Sequence, residues 1–128
     1  ILSGLTRDTG PKEIVRATVE SVAYQTHDLF EAMKNDGLKP KIIKVDGGMV
    51  KNKKFLQLLS NTLSTNIKKP DQIESTAVGA FKIALLGSGI KNIDEIQKIG
   101  SYDEVKSQQS LKLNDDYQIW KEYLVKNL

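Results

Sequence analysis

Between Ile42 and Asn52 the chain passes from a β-branched run, Ile42-Ile43-Lys44-Val45, through Asp46-Gly47-Gly48 into Met49-Val50-Lys51-Asn52, and helical spacing follows. This stretch constrains the fold more than any other. A strand that stops at two residues without Cβ and restarts as a helix is a β-to-α unit, and such units build parallel sheets with helices laid on them. Asn52 suits the N-cap of the second element, because its side-chain oxygen can accept from the unpaired N–H groups of a first turn. Phe55 or Leu56, Leu59 and Leu63 then fall on one apolar face.

The flanking segments fit the same scheme. Residues 11–35 carry Val15, Val19, Val22, Leu29 or Phe30, and Met33 at steps of three and four, a helical period. Thr9-Gly10-Pro11 opens that helix, with proline where the N–H has no partner to lose, and Asn35-Asp36-Gly37 followed by Pro40 closes it. Asn66 to Lys69, ending at Pro70, reads as a short edge strand, since proline cannot donate to a ladder. A third helix is expected from Ser75 to Leu86. Its small Ala77, Gly79, Ala80 and Ala84 predict close approach to a neighbouring element. Past Gly89, Asn92 and Glu95 have capping-box spacing before a short helix. Residues 100–113 read as an extended polar loop, and Tyr117, Trp120, Tyr123 and Leu124 place a last helix from Asp115. The alternation predicts an α/β domain with a small, largely parallel sheet flanked by helices. No internal repeat or low-complexity tract is present. Ile1 to Leu5 reads as the end of a strand, so the chain looks cut from something longer.

Composition then removes whole classes of chemistry. There is no cysteine and one histidine, His27, in the 128 residues, which excludes disulfide frameworks, thiolate zinc sites, thiol nucleophiles and multi-histidine metal clusters. Such a chain suits a reducing cytoplasm. No apolar run approaches the roughly 18 residues of a membrane span. The net charge of +3 comes from 19 basic and 16 acidic residues that are interleaved, with only Lys51, Lys53 and Lys54 clustered. A solvated lysine-rich surface accounts for this better than a nucleic-acid interface, which calls for a basic stripe with interleaved aromatics.

The candidate site is the Asp46-Gly47-Gly48 turn with Asn52. Two adjacent glycines permit positive φ and close backbone approach by a flat ligand, and a helix start offers free N–H groups. Its place outside the carboxyl end of a strand is where open α/β sheets hold nucleotides. The residues alone also fit a plain glycine-rich turn, and neither the GxGxxG fingerprint nor the P-loop occurs. Other candidates are weaker. Asp115 and Asp116 suit capping, His27 has no acidic or hydroxyl partner at fixed spacing, and Ser60, Thr62 and Ser64 have no base to activate them.

Four segments together are more specific. Gly4-Leu5-Thr6-Arg7, Arg16 to Thr26 (RATVESVAYQT), Val45 to Val50 with Asn52, and Glu74 to Ala80 (ESTAVGA) resemble, in order and spacing, the FGGY carbohydrate kinases, and among them the bacterial glycerol kinases. The resemblance implies an actin-like (ribonuclease H-like) ATPase fold, of which this chain is the C-terminal part of the second lobe. It implies that residues 1–89 carry the adenosine motif and that 90–128 form a helical tail packed on the same lobe. In such enzymes the γ-phosphoryl of MgATP passes to a terminal hydroxyl of glycerol. Gly47 and Gly48 match the nucleotide-binding turn, Gly48 the backbone contact, and Asn52 the side chain reaching the adenosine. The Asp-x-Gly-Thr phosphate loop, the glycerol-binding residues, the proton-accepting aspartate and the Mg²⁺ ligands would all precede residue 1. No catalytic or metal-binding residue is therefore expected here. The ligands implied are ATP or ADP and, for the full enzyme, glycerol. A homo-oligomer is implied for the full-length protein, with no nucleic-acid or membrane partner.

Overall fold

The computed structural model describes residues 1–38, 40–71, 74–108 and 111–127. Helix α1 spans Pro11–Asn35, strand β1 Ile42–Lys44, a 3₁₀ turn Gly48–Lys51, helix α2 Lys53–Leu63 and strand β2 Asn66–Pro70. Then come α3 Ser75–Gly87, α4 Ile93–Gln97, β3 Tyr102–Val105 and α5 Leu111–Asn127. Pro11 stands at the start of α1, and the Gly10 N–H donates to Glu13 Oε2 at 2.9 Å, so an acidic side chain satisfies a donor at the positive end of the helix.

The sheet order is β1-β2-β3. β1 and β2 run parallel, Ile43 opposite Ile67, while β3 returns antiparallel with Val105 opposite Ile67 and Tyr102 opposite Pro70. Two expectations need correction. The sheet is mixed rather than largely parallel, because the polar stretch expected to be a loop contains β3. That makes β2 the central strand and not an edge. Pro70 is tolerated there because it is the last residue of its strand.

The reason β3 escapes notice is visible in its alternation. Of Tyr102, Asp103, Glu104 and Val105 only Val105 is partly buried, packing against the core, so one apolar residue suffices. Amide side chains hold the chain beyond it. Gln57 Nε2 donates to the Lys106 carbonyl at 3.0 Å, Asn61 Oδ1 accepts from the Gln108 N–H at 2.9 Å, and Asn66 Oδ1 accepts from the Ser107 N–H at 3.1 Å.

The core lies between one sheet face and the helices α1 and α2. Ala23 and Phe30 come from α1, Val50 from the 3₁₀ turn, Phe55, Leu56, Leu59 and Leu63 from α2, and Ile67 from β2. Ser60 and Thr62 are also buried, but their hydroxyls donate to backbone carbonyls: Ser60 to Thr65 at 2.9 Å and Val105 at 3.2 Å, Thr62 to Leu58 at 2.9 Å. Both hydroxyls are thereby engaged in holding the backbone. α4 has the capping box read from Asn92 and Glu95, with Asn92 Oδ1 accepting from the Glu95 N–H at 3.0 Å.

Two further readings are corrected. α5 starts at Leu111, one turn before Asp115. The small residues of α3 are exposed, and a Cβ on Gly79 would meet nothing within 4 Å. Among the described residues no helix is long and apolar enough to cross a membrane.

Candidate functional site

The parallel strands β1 and β2 both end at one edge of the sheet, and the Asp46-Gly47-Gly48 turn leaves β1 there. Pairing continues past the strand through the Val45 N–H, which donates to the Lys68 carbonyl at 3.1 Å. The turn is then locked locally: the Gly47 N–H donates to Asp46 Oδ1 at 2.7 Å. Gly47 has φ 106° and ψ 178°, a region open essentially to glycine alone. Its identity is dictated by the backbone.

Gly48 differs. Its φ is not positive, and a Cβ there would meet nothing within 4 Å. Neither backbone strain nor packing within the chain explains a glycine at this position. Open space over an exposed peptide leaves room for close approach by a flat ligand, although Gly79 and Gly87 on α3 are equally open.

Asn52 lies four residues on, where the 3₁₀ turn becomes α2. Its Oδ1 accepts from the Lys54 N–H at 3.0 Å and the Phe55 N–H at 3.2 Å, the N-cap read from the sequence. Two donors on one oxygen fix the amide's orientation. The oxygen is therefore spent on the cap, and the Nδ2 donors remain for a ligand. The first turn of α2 has no acidic residue. Lys51, Lys53 and Lys54 surround it and are exposed, placing positive charge at the positive end of a helix dipole. That arrangement favours an anion. Gly47, Gly48 and Asn52 thus share one exposed turn.

The sequence reading missed a neighbouring cleft of about 310 Å³, lined by Pro70, Asp71, Ser75, Gly79, Ser101 and Tyr102 among others. It lies at the same sheet edge, with Ser101 hydrogen-bonded to Asp71 and the Lys44 ammonium 4.7 Å from the Tyr102 ring centroid. It depends on β3, so no local pattern announces it. Among the described residues no group of three or more His, Asp or Glu could hold a metal ion.

A mixed sheet flanked by helices, with a diglycine turn leaving its parallel pair, is an α/β lobe of the kind that holds ligands outside the carboxyl ends of its strands. Residues 1–88 match the model of the FGGY family of carbohydrate kinases, C-terminal domain. Glycerol kinase 1 of Pseudomonas aeruginosa is 48% identical over 94 residues, covering 73% of this chain and 19% of that protein. The glycerol kinase of Alteromonas mediterranea is 43% identical over 121 residues, covering 92% of this chain and 24% of its own length. The crystal structure of Plasmodium falciparum glycerol kinase with ADP superposes with a TM-score of 0.86 at 28% identity, over 98% of this chain and 26% of that one. The chain belongs to the FGGY family of carbohydrate kinases and has their actin-like ATPase fold. It spans about a fifth to a quarter of the length of the curated relatives it matches.

Proposed function

We propose that this chain is the adenine-nucleotide-binding, C-terminal part of an ATP-dependent glycerol kinase, which converts ATP and glycerol to sn-glycerol 3-phosphate and ADP. The observation that carries the choice of substrate is identity of 48% and 43% with glycerol kinases over most of the chain. The alternatives are a kinase of the same family acting on a pentulose or gluconate, and a non-catalytic nucleotide-binding module.

In this reading Gly47 shapes the turn, Gly48 admits the nucleotide to its peptide, and Asn52 donates from Nδ2 to the adenosine end. Phosphoryl transfer depends on positioning, Mg²⁺ and electrostatic stabilisation of the phosphoryl oxygens. The 128 residues contribute the positioning of the nucleotide, and the remaining groups belong to the rest of the enzyme. Residues 1–89 hold the adenosine motif and 90–128 pack onto the same lobe. The exposed Phe81 and Ile83 of α3, a helix with no buried residue, suit a lobe that a longer chain covers.

The complete protein, assayed by coupling ADP formation to NADH oxidation, should turn over with glycerol. Turnover on gluconate or xylulose with none on glycerol would overturn the substrate. The isolated 128 residues should give no glycerol-dependent ATP consumption. ADP at millimolar concentration should shift the amide resonances of Gly48 and Asn52, and unmoved resonances would count against the site.

A further inference from the structure

Two buried polar atoms on α1, the Tyr24 hydroxyl and His27 Nδ1, have no hydrogen-bond partner among the described residues. Both residues face α5. The His27 ring lies 4.2 Å from the Tyr117 ring, centroid to centroid, and Tyr24 lies 6.0 Å from Tyr117 and 5.8 Å from Trp120. Polar contacts fasten α5 at the same place: the Tyr117 hydroxyl donates to Asp28 Oδ1 at 3.0 Å, and Lys121 Nζ lies 3.1 Å from that oxygen.

The charged groups around His27 are Asp28, Glu31 and Lys34 of α1 and Lys121 of α5, with the Tyr117 hydroxyl beside them. Both carboxylates are engaged, Glu31 with Lys34 at 2.7 Å and Asp28 with Lys121 at 3.1 Å. A second ring proton would thus create an imidazolium with a buried N–H lacking an acceptor, and the opposing charges of Glu31 and Asp28 against Lys34 and Lys121 do not offset that burial. Burial accordingly holds the His27 pKa below its ordinary value. The core cluster centred on α2 includes no residue of α5. α5 also touches α2 and buries Tyr117, so its release uncovers part of α1 and α2 while leaving that cluster's own contacts in place.

We propose that His27 is a proton-operated latch for α5: protonation of its ring releases the C-terminal helix from α1 while the α2-centred core stays folded. The chain supplies its own probes, since His27 is its only histidine and Trp120 its only tryptophan. Histidine is also the side chain that ordinarily titrates between about pH 5 and 8. The sign follows from the lowered pKa. The unfolded or released state binds the proton more tightly, so docking is complete above the ordinary histidine value and is lost as pH falls through that value toward the docked one.

Lowering the pH of the 128-residue protein from 8 to 5 should shift Trp120 emission to the red and raise amide exchange in α5, with α2 amides still protected. His27→Phe, which keeps a ring against Tyr117 and cannot titrate, should abolish the transition, and His27→Gln should do the same by a different side chain. The latch is refuted by a wild type that does not change, by a transition that survives in both variants, or by α2 losing protection together with α5.

Discussion

The proposed site gives Asn52 two duties on two atoms, a cap that the structure shows and a nucleotide contact that we propose, and two substitutions separate them. Oδ1 caps α2 through the Lys54 and Phe55 N–H groups, while Nδ2 is left for the nucleotide. Asn52→Ala removes both. Loss of an N-cap side chain costs about 1 kcal/mol, which for a domain of this size lowers Tm by about 3–5 °C. Loss of one neutral hydrogen bond to a ligand, about 0.5–1.5 kcal/mol, weakens binding roughly two- to tenfold. Asn52→Asp keeps the accepting oxygen and adds a negative charge where α2 has no acidic first-turn residue and Lys51, Lys53 and Lys54 are close. The helix dipole makes that charge favourable by about 0.3–1 kcal/mol. For the nucleotide it should be worse than alanine, because the donor is gone and the new carboxylate offsets the positive charge that Lys51, Lys53 and Lys54 offer an anionic ligand. Thermal melts should rank Asp at or above Asn, and Asn above Ala. ADP titrations followed at the Gly48 amide should rank Asn above Ala, and Ala above Asp. If the aspartate variant binds as well as the parent, Nδ2 does not contact the nucleotide. If it melts with the alanine variant, the cap is not what Oδ1 contributes.

The two glycines of the turn should part company in the same way. Gly47→Ala, forced to φ 106°, should lose about 1–3 kcal/mol of stability in denaturant melts, whereas Gly48→Ala should melt like the parent and lose ADP affinity. Leu56→Ala, which empties a site only 2% exposed, should cost about 2–5 kcal/mol with no selective effect on binding. Ser60→Ala should cost about 1 kcal/mol and loosen β3, read as faster amide exchange at Val105. The Lys121 and Tyr117 contacts hold the Asp28 carboxyl below its usual range. It thus stabilises α5 docking above the ordinary aspartate value, and that contribution is lost as pH falls through the folded one. Asp28→Asn should remove this acid step from the α5 signal and leave the α2 core intact.

What the sequence discloses and what it hides divide along physical lines. The starts of α1, α2 and α4 are legible because their signals are local: Thr9-Gly10-Pro11, Asn52 before Phe55, Asn92 before Glu95. β3 is hidden because its pairing is with β2, more than thirty residues away in sequence, and only Val105 needs to be apolar. The Pro70–Tyr102 cleft is hidden for the same reason, and so is the Tyr24–Tyr117–Trp120 cluster, whose members look like ordinary amphipathic spacing until two helices meet. The site divides differently again. Gly47 and the Asn52 oxygen are explained by the fold, so their presence alone fits a plain β-to-α turn equally well. Among the described residues nothing explains Gly48 or engages the Asn52 amide nitrogen. A residue whose side chain could be larger at no cost to the fold, yet is glycine, points outside the fold for its reason. A hydrogen-bond donor left over from an otherwise engaged side chain does the same. Those two features, on one exposed turn at the carboxyl edge of the parallel strands, are the grounds on which a glycine-rich bend is proposed as a nucleotide site.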